Sequence, residues 1–443
     1  MNILVVGGGA REHAICDAVC RSEDVKLFSV MKNLNPGIKR LSNDILLEKE
    51  TNIDAVVSYA KEKFIDLTII GPEAPLEKGI VNNLNNSGIK TCSPTKEAAR
   101  IETDKEWMRN ILKKYKITGQ LKYETFKDTK KAKKFIENLN GEVALKPIGL
   151  TGGKGVRVYG DHFKTIDEAI DYVRQVIESK IGGKSKILVE EKAVGEEFTL
   201  QAFSDGKTIL PLHAVQDHKR LLPDDKGPNT GGMGSYSCDN GLLPFLTKSD
   251  YEEGAAILQK IVEALDKEGC KYIGPIYGQF MLTNSGIKII EINARFGDPE
   301  AMNVLPILET NFIDICKSMV DESLDKIKLK IKNKSTVCKY VVPEGYGFKS
   351  MIGEKIFVDE NEIALTGSRL FYASVNKGND YVYTTSSRSL AVVGISDDLN
   401  NAEIICEKAL EHIKGDHIFI RHDIGTEKLI KRRVEHMERL RGM

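Results

Sequence analysis

The chain has 443 residues, which exceeds one ordinary domain and predicts two to four domains with several cores. Its 64 Lys and Arg residues balance 64 Asp and Glu residues, so no overall basic field exists to attract nucleic acid or a membrane surface. Its eight cysteines form no CxxC pair or zinc-like cluster, and no apolar run approaches the ~20 residues that span a bilayer, so we expect a cytoplasmic protein that acts on small molecules.

The N-terminal residues alternate between apolar strand-like runs and helical segments. Residues 3–6 are typical of a buried strand, glycines 7–9 follow, and a helix is predicted over about 11–21. A further strand is predicted over 67–70. This alternation predicts an open parallel α/β domain.

The turn GGGAREHA matches a dinucleotide-binding fingerprint only in part. Glu12 stands where GxGxxG requires its third glycine, and no acidic residue follows the second strand to hold a ribose, which argues against NAD. A glycine turn at a helix N-terminus can still bind phosphate through Gly9 and Arg11, although an ordinary tight turn is an equal alternative. Glu73 follows a strand's carboxyl end, where ligands bind, or it is simply a helix-start carboxylate.

The segment EVALKPIGLTGGKGVRV predicts a strand, a glycine-rich loop and a second strand. Because this flexible hairpin carries Lys146 and Lys154, it is typical of a lid over phosphates. A Walker A loop is excluded, since Lys154 is followed by glycine rather than Ser or Thr. An ordinary mobile turn is the alternative. The candidate phosphate-binding glycines of the loop are Gly152 and Gly153.

Residues 187–203 predict two strands joined at a glycine bend, with paired acids on each side. Glu190 and Glu191 precede the bend, and Glu196 and Glu197 follow it. Such a bend can hold a nucleoside between backbone amides and a ribose-binding carboxylate. Four acids on an ordinary hairpin can equally be surface charge.

The segment YGQFMLTNSGIKIIEINARFGDPE predicts a hairpin that carries metal-binding oxygens. A three-residue loop ending at Gly286 would pair Gln279 with Glu291. Strand alternation would place Ile289, Glu291 and Asn293 on one face. Mg²⁺ favours such oxygens, often completed by substrate phosphates. A solvated strand edge is the alternative, and a loop one residue shorter would turn Gln279 away.

The order of these segments resembles the ATP-grasp fold, in which two halves close on ATP and its metals. The motifs GGGAREHA, GPEAPL, QDHKR with GPNTGGMG, and EINARFGDPE narrow the resemblance to the glycinamide ribonucleotide synthetase (phosphoribosylamine–glycine ligase) family. The segments RSLAVVGISDDLNNAEIICEKAL and FIRHDIG resemble the small final domain of that family. The resemblance covers nearly the whole chain.

The resemblance implies a multidomain protein of the α/β and α+β classes. Its expected parts are an N-terminal open parallel α/β substrate domain over 1–103, an ATP-grasp core with the metal site over 104–122 and 196–332, a small ATP-grasp lid subdomain over 123–195, and a small C-terminal α+β domain over 333–443.

The resemblance also implies ATP-dependent ligation of glycine to 5-phosphoribosylamine through glycyl phosphate. The products would be glycinamide ribonucleotide, ADP and phosphate, as a step of purine biosynthesis. The expected requirements are ATP as cosubstrate and two Mg²⁺ or Mn²⁺ ions, with no nucleic-acid or membrane partner and a monomer rather than a homodimer. Phosphorylation would turn a poor electrophile into a reactive one, so the enzyme needs no nucleophile of its own.

The resemblance assigns roles to individual positions of this sequence. The metal ligands would be Gln279, Glu291 and Asn293, and the catalytic residues Arg295, Lys154 and Asp298. The nucleotide would be held by Lys146, Gly152, Gly153, Lys154, Glu190, Glu191, Val194 and Glu197. The other substrates would be held by Gly9, Arg11, Glu73, Asp217, Lys219, Arg295 and Asp298, with the loop 231–234 beside the glycine amine.

Two other functions stay open: a different ATP-grasp carboxylate–amine ligase, and a noncatalytic nucleotide-sensing module. The retained metal ligands favour turnover, and the chain lacks the modified-lysine motif of a biotin carrier. We expect His13 and His218 to be hydrogen-bonded structural histidines. The basic segment 431–441 has Ile430 and Met437 at helical spacing, which predicts a docked helix with a solvated face rather than a nucleic-acid site.

Overall fold

The computed structural model describes residues 1–150 and 155–442. The N-terminal part is the open parallel α/β unit that the alternation predicts. Its elements are β1 (Asn2–Val6), α1 (Ala10–Val19), β2 (Lys26–Met31), α2 (Pro36–Leu41), β3 (Asp44–Leu47), α3 (Ile53–Glu62), β4 (Leu67–Ile70), α4 (Glu73–Glu77), α5 (Ile80–Asn86), β5 (Lys90–Thr91) and α6 (Lys96–Thr103). The five strands lie in the order β3-β2-β1-β4-β5 and all pair in parallel. Because α1 and α4 follow the carboxyl ends of β1 and β4, they bring Arg11 and Glu73 to one edge of the sheet.

After α7 (Lys105–Lys114), a smaller unit has its own four-stranded sheet and its own apolar core. Its elements are β6 (Tyr123–Phe126), α8 (Thr129–Asn138), β7 (Val143–Pro147), β8 (Arg157–Val158), α9 (Ile166–Ser179) and β9 (Ile187–Glu191). The strands lie in the order β6-β9-β7-β8, and residues such as Ile136, Val143 and Val173 form a core separate from the rest of the protein. The sheet carries Lys146 on β7 and the paired acids at the end of β9.

The central part of the chain is built around a four-stranded antiparallel sheet. Its elements are β10 (Glu196–Asp205), β11 (Ile209–Pro211), β12 (Gln216–Asp217), β13 (Arg220–Leu222), β14 (Lys226–Asn229), β15 (Gly234–Ser237), α10 (Lys248–Lys267), β16 (Ile273–Thr283), β17 (Gly286–Asn293), α11 (Ala301–Val304) and α12 (Phe312–Val320). The sheet order is β11-β10-β16-β17. The long strand β10 therefore places Glu197 beside the hairpin of β16 and β17.

The C-terminal part completes a second antiparallel sheet with strands from the centre of the chain. Its elements are β18 (Ser335–Pro343), β19 (Lys355–Val358), α13 (Glu360–Leu365), β20 (Arg369–Tyr372), β21 (Val375–Lys377), β22 (Val382–Thr384), β23 (Leu390–Ser396), α14 (Leu399–Leu410), β24 (Ile413–Lys414), β25 (Ile418–Ile420) and α15 (Glu427–Arg441). The order β12-β15-β18-β23-β20 joins Asp217 on β12 to the C-terminal strands. No helix of the described chain has the length and apolar character needed to cross a bilayer.

The β16–β17 hairpin has the predicted pairing of Gln279 with Glu291, but it reaches that pairing differently. Thr283 pairs with Gly286, so the loop is one residue shorter than predicted. A register shift between Gln279 and Phe280 skips Ile290 on the partner strand and restores the pairing beyond it.

This bulge also overturns the prediction that Ile289 shares a face with Glu291. Ile289 pairs with Phe280, and both pack in the main apolar core, whereas Glu291 pairs with Gln279 and lines a cavity. The extra residue, Ile290, reverses the alternation between them. The hairpin therefore turns its carboxylate to the cavity while its apolar residues stay in the core.

Candidate active site

A cavity of about 700 Å³ is lined by residues from the N-terminal sheet, the small β6–β9 unit, the central sheet and the C-terminal part. Two of the predicted site residues, Gly9 and Val194, do not line it. Gly152, Gly153 and Lys154 lie outside the described residues. The predicted site residues that line the cavity are Arg11, Glu73, Lys146, Glu190, Glu191, Glu197, Asp217, Lys219, Gln279, Glu291, Asn293, Arg295 and Asp298.

The oxygens of the β16–β17 hairpin form one end of the cavity. The Nε2 of Gln279 donates to Oε2 of Glu197 at 2.6 Å, while its Oε1 is buried and has no hydrogen-bond partner among the described residues. The Nδ2 of Asn293 donates to Oε1 of Glu291 at 3.3 Å. Burial opposes ionisation of Glu291, but Lys219, Lys105 and Lys146 outweigh it and lower the pKa of Glu291. The carboxylate is therefore anionic at neutral pH.

These oxygens fit a hard divalent cation. An unpartnered amide oxygen beside an anionic carboxylate is the donor set that Mg²⁺ takes when substrate phosphates complete its coordination. Among the described residues, no three His, Cys, Asp or Glu side chains are grouped to hold a metal by themselves. Gln279, Glu291 and Asn293 would thus supply part of a coordination sphere that needs a ligand to complete it.

The wall of the cavity beside the hairpin contains a buried cluster of charges. Glu190 pairs with Nε of Arg109 at 2.5 Å and with Nζ of Lys146 at 2.7 Å, and both Glu190 and Arg109 are fully buried. Burial raises the pKa of Glu190, but the two cations outweigh it and lower the pKa to about 2. Glu190 therefore holds Lys146 in place through this ion pair.

The β-bulge contributes to the same cluster. The Nζ of Lys146 donates to the carbonyl oxygen of Ile290 at 3.0 Å, and Nη2 of Arg109 donates to the carbonyl oxygens of Ile289 at 2.9 Å and Ile290 at 3.3 Å. A bulged residue has no partner in the strand ladder, so its carbonyl is available to a side chain. The bulge thus links β17 to the lysine of β7.

The glycine-rich turn after β1 differs from the prediction in one respect. The N–H of Gly9 is not free for phosphate, because it donates to Oε2 of Glu12 at 2.7 Å. Glu12 occupies the N3 position of α1 and caps the helix, and a Cβ on Gly7 or Gly71 would approach its side chain within 2.5 Å. The carboxylate thus binds the N–H group that was predicted to be free for a phosphate. Arg11 lines the cavity with Nε bonded to Glu12 at 2.6 Å.

Arg295 joins the hairpin to the N-terminal unit. Its Nη2 contacts Oε1 of Glu102 at 3.0 Å, and its Nε lies 3.6 Å from Oε2 of Glu73. Burial raises the pKa of Glu102 to about 7, although Arg295 acts in the opposite direction. Burial likewise raises the pKa of Glu73, but Arg295 and Arg11 outweigh it and the net shift is downward. Sequence reasoning missed Glu102, which has no local motif and is drawn into the site by the fold.

The far side of the cavity contains two aspartates, Asp298 and Asp217. Asp298 contacts Nη2 of Arg388 at 3.0 Å, and Nη1 of Arg388 donates to the carbonyl oxygens of Gly231 at 2.6 Å and Gly232 at 3.0 Å. Oδ1 of Asp217 is buried without a hydrogen-bond partner among the described residues. Burial and the neighbouring Glu300 hold the pKa of Asp217 well above its usual range.

Sequence reasoning also missed several cations that line the cavity, among them Arg388 and Lys105. Arg388 is the first residue of the RSLAVVGIS segment, which indicated only the C-terminal fold. Lys105 begins α7, and its Nζ donates to the carbonyl oxygen of Gly149 at 3.0 Å. A cationic residue at the first position of a predicted helix or segment was the available signal in both cases.

The two histidines in the site motifs are hydrogen-bonded, as expected. His218 is buried with Nδ1 3.2 Å from Oδ1 of Asp225. Nδ1 of His13 accepts from the backbone N–H of Tyr372 at 2.9 Å, and its ring packs edge-on against Phe371. His13 therefore joins the N-terminal unit to the C-terminal part. Burial lowers the pKa of His13 to about 4.

The substitution His13→Asn is expected to weaken the dependence of stability on pH between about 6.5 and 4. A histidine in the unfolded chain has a pKa of about 6.5, whereas burial lowers the pKa of His13 to about 4. Unfolding therefore takes up a proton in this window, and the wild-type free energy of unfolding falls as the pH falls. Asn keeps an acceptor for Tyr372 but does not titrate. Urea unfolding at several pH values measures both slopes, and equal slopes would contradict the role of His13.

Comparisons with known proteins match successive parts of the chain to the domains of one enzyme family. Three models of phosphoribosylglycinamide synthetase match: its N domain over residues 1–102, its ATP-grasp (A) domain over 103–301 and its C domain over 336–427. The chain is 51% identical over 443 residues to phosphoribosylamine–glycine ligase of Methanothermobacter thermautotrophicus, with 100% of each chain covered.

Two solved structures are similar in fold. The crystal structure of phosphoribosylamine–glycine ligase from Thermotoga maritima has a TM-score of 0.81 and 24% identity, covering 96% of this chain and 100% of that one. The biotin carboxylase domain of Hydrogenobacter thermophilus 2-oxoglutarate carboxylase, in complex with MgADP, ADP and bicarbonate, has a TM-score of 0.73 and 15% identity, covering 99% and 93%.

Proposed function

Since the chain belongs to the phosphoribosylglycinamide synthetase family, we propose that it joins glycine to 5-phosphoribosylamine at the expense of ATP. It is an ATP-dependent carbon–nitrogen ligase of purine biosynthesis, and its products are glycinamide ribonucleotide, ADP and phosphate. The observation that carries the proposal is one cavity that joins the oxygens of Gln279 and Glu291, the lysine of β7 and the carboxylates Asp217 and Asp298.

The reaction has two steps in this cavity. The glycine carboxylate attacks the γ-phosphorus of ATP, the bond to ADP breaks, and glycyl phosphate forms. The amine of phosphoribosylamine then attacks the glycyl carbonyl carbon, phosphate leaves, and the nitrogen loses a proton. A divalent metal held by Gln279, Glu291 and Asn293 would neutralise charge on the transferring phosphoryl group. In both steps, the bonds that form and break belong to the substrates. No protein nucleophile is therefore required.

The nucleotide would lie between the hairpin and the β6–β9 unit. Lys146, which Glu190 and the Ile290 carbonyl hold in the cavity wall, would contact ATP phosphates. Glu191 is the hinge acid that we assign to the nucleoside, with Val194 contributing backbone, because Glu190 is paired with two cations. Lys154, Gly152 and Gly153 would complete the lid contacts.

The other substrates would lie on the side of the N-terminal and C-terminal units. Arg295 would face the acyl phosphate oxygens, and Glu73, Arg11 and Lys219 would surround phosphoribosylamine. Arg11 supports this assignment better than Gly9, whose N–H is bonded to Glu12. The unpartnered Oδ1 of Asp217 and the carboxylate of Asp298 are acceptors for the substrate amines, and Arg388 holds the loop 231–234 beside them.

Three further features belong to the same proposal. The metal would be Mg²⁺ or Mn²⁺ in two ions, since both cations suit oxygen ligands and triphosphate. The protein would act as a monomer rather than a homodimer. It would act in the cytoplasm, because the cysteines are all free and suit a reducing compartment.

The proposal predicts that ADP release requires both glycine and phosphoribosylamine. Purified protein would be mixed with ATP and Mg²⁺, with each substrate present or omitted, and freshly made phosphoribosylamine would be used. We expect one glycinamide ribonucleotide per ADP, identified by mass spectrometry. ADP release that is indifferent to both substrates would refute the assignment.

A further inference from the structure

The C-terminal helix α15 packs against the central sheet at the active site. The family match to the C domain ends at residue 427, where this helix begins. Leu429 and Met437 are buried, and the helix contacts β10 and β16. These are the strands that carry Glu197 and Gln279. The helix therefore lies against the two strands that carry Glu197 and Gln279.

One guanidinium of this helix joins two carboxylates from different elements. Nη1 of Arg433 contacts Oε2 of Glu196 at 3.0 Å, and its Nη2 contacts Oδ2 of Asp225. Glu196 is only 3% exposed, and Nδ1 of His436 also contacts it at 2.6 Å. Asp225 has a second contact to the helix through Arg432 at 2.7 Å. Part of the polar face of the helix thus forms ion pairs with Glu196 and Asp225 and is not simply solvated.

Glu196 is adjacent to a residue at the metal end. Glu197, the next residue on β10, accepts from Nε2 of Gln279 at 2.6 Å and lies 3.6 Å from Nζ of Lys219. Because the two glutamates share a peptide unit, a displacement of Glu196 moves Glu197. The position of Gln279, whose Oε1 is the free metal-binding oxygen, depends on that hydrogen bond.

Asp225 is connected to the Glu197–Lys219 pair through His218. Its Oδ1 contacts Nδ1 of His218 at 3.2 Å, and His218 directly precedes Lys219. Lys219 and Glu197 are themselves an ion pair. Arg433 is therefore connected to the Glu197–Lys219 pair in the cavity by two routes, one through Glu196 and one through Asp225 and His218. Together the two routes form a closed ring of contacts.

Loss of the Arg433 charge would leave this ring open. Glu196 would keep His436 and a long hydrogen bond of 3.5 Å from Nε2 of the neutral Gln216. A buried carboxylate without sufficient counter-charge takes up a proton or moves toward water. Asp225 would keep Arg421 and Arg432, so the disturbance should start at Glu196. The displacement of Glu196 would then change the positions of Glu197 and Gln279, while the fold as a whole stays intact.

We propose that Arg433 is a positioning residue for the ligase reaction, acting through Glu196 and Asp225 on Glu197, Lys219 and Gln279. The C-terminal helix is then part of the catalytic apparatus as well as of the fold. This inference rests on the proposed function for its turnover readout.

The test compares Arg433→Met with Lys431→Met. Lys431 is on the same helix, but its side chain is 72% exposed and lies 4.0 Å from Glu435. Loss of a residue that orients metal ligands typically costs about 10–100-fold in metal affinity or activity, so we expect Arg433→Met to lower kcat or raise the Mg²⁺ concentration for half-maximal activity by that amount. Lys431→Met should match the wild type in both.

Two more variants separate positioning from folding. Arg433→Lys keeps the charge but not the bridge between two carboxylates, and it should show the same Mg²⁺ shift in a folded protein. Arg433→Met combined with Glu196→Gln removes the buried charge and should recover part of the activity. Wild-type kcat and Mg²⁺ dependence in folded Arg433→Met would overturn the proposal. If Arg433→Met does not fold, the same result for Arg433→Lys would overturn it.

A binding measurement keeps this inference distinct from the proposed function. Calorimetric titration with ADP at increasing Mg²⁺ needs neither glycine nor phosphoribosylamine. We expect the Mg²⁺ dependence of ADP binding to shift in Arg433→Met and not in Lys431→Met. A wild type that binds Mg²⁺ and ADP but performs no ligation would refute the proposed function alone. A wild-type Mg²⁺ dependence in Arg433→Met would refute the inference alone.

Discussion

The substitution Glu291→Gln is expected to nearly abolish turnover while the protein stays folded. Glu291 is the only carboxylate among the three proposed metal ligands, and it is anionic because Lys219, Lys105 and Lys146 lower its pKa against the effect of burial. Gln has the same shape and keeps an oxygen for Nδ2 of Asn293, but it lacks the charge. A metal ion contributes several kcal/mol to stabilising the transferring phosphoryl group, so kcat should fall by about 1,000-fold or more.

The control for this prediction is Glu253→Gln, which removes a carboxylate from an exposed position on α10 near the hairpin loop. Both variants would be assayed for ADP release at saturating Mg²⁺, with circular dichroism to confirm folding. Glu253→Gln should match the wild type. Activity of Glu291→Gln within tenfold of the wild type, in a folded protein, would refute the metal role.

The hairpin shows how far a sequence pattern determines a site. Alternation and the glycine after the turn predicted the pairing of Gln279 with Glu291, and the structure confirms it. The predicted loop was too long by one residue, and the bulge at Ile290 compensates. The adjacent isoleucines Ile289 and Ile290 break the period of two, and this was the available signal of the bulge. Which of the two would be extra depends on packing in the core.

The N-terminal turn shows a different limit. The sequence excluded a dinucleotide site because Glu12 replaces a glycine, and the structure supplies the reason, since this carboxylate caps α1 and bonds the N–H of Gly9. A free N–H at Gly9 was predicted because glycine turns at helix starts usually leave one. The side chain that fills such a turn can be recognised from sequence only when the capping role of the third residue is considered.

The C-terminal helix shows why distant contacts escape local patterns. Helical spacing of Ile430 and Met437 correctly predicted a docked helix. The predicted solvated face was wrong in part, because Arg433 and His436 contact Glu196, which is 240 positions from His436 in the chain. The pairing of a buried acid with a basic helix depends on the fold, and periodicity carries no information on it.

The substitution Arg109→Met is expected to destabilise the protein by about 3–5 kcal/mol, the usual cost of removing one partner of a fully buried ion pair. Arg109 and Glu190 are both fully buried, and Lys146 alone would then balance Glu190. Arg109 also donates to the carbonyl oxygens of Ile289 and Ile290, which Met cannot replace. Helix α7, the small β6–β9 unit and the β16–β17 hairpin should therefore loosen together.

The chain offers its own probe for this effect. Trp107, its only tryptophan, lies on α7 two residues before Arg109, so its fluorescence reports unfolding at this cluster. Urea titration should show a lower midpoint for Arg109→Met, whereas Lys113→Met, at an exposed position of the same helix, should unfold as the wild type does. Adding Glu190→Gln to Arg109→Met should recover part of the stability, because it removes the carboxylate that lost its partner. Equal midpoints for Arg109→Met and Lys113→Met would show that the buried cluster does not stabilise the contact between Lys146 and β17.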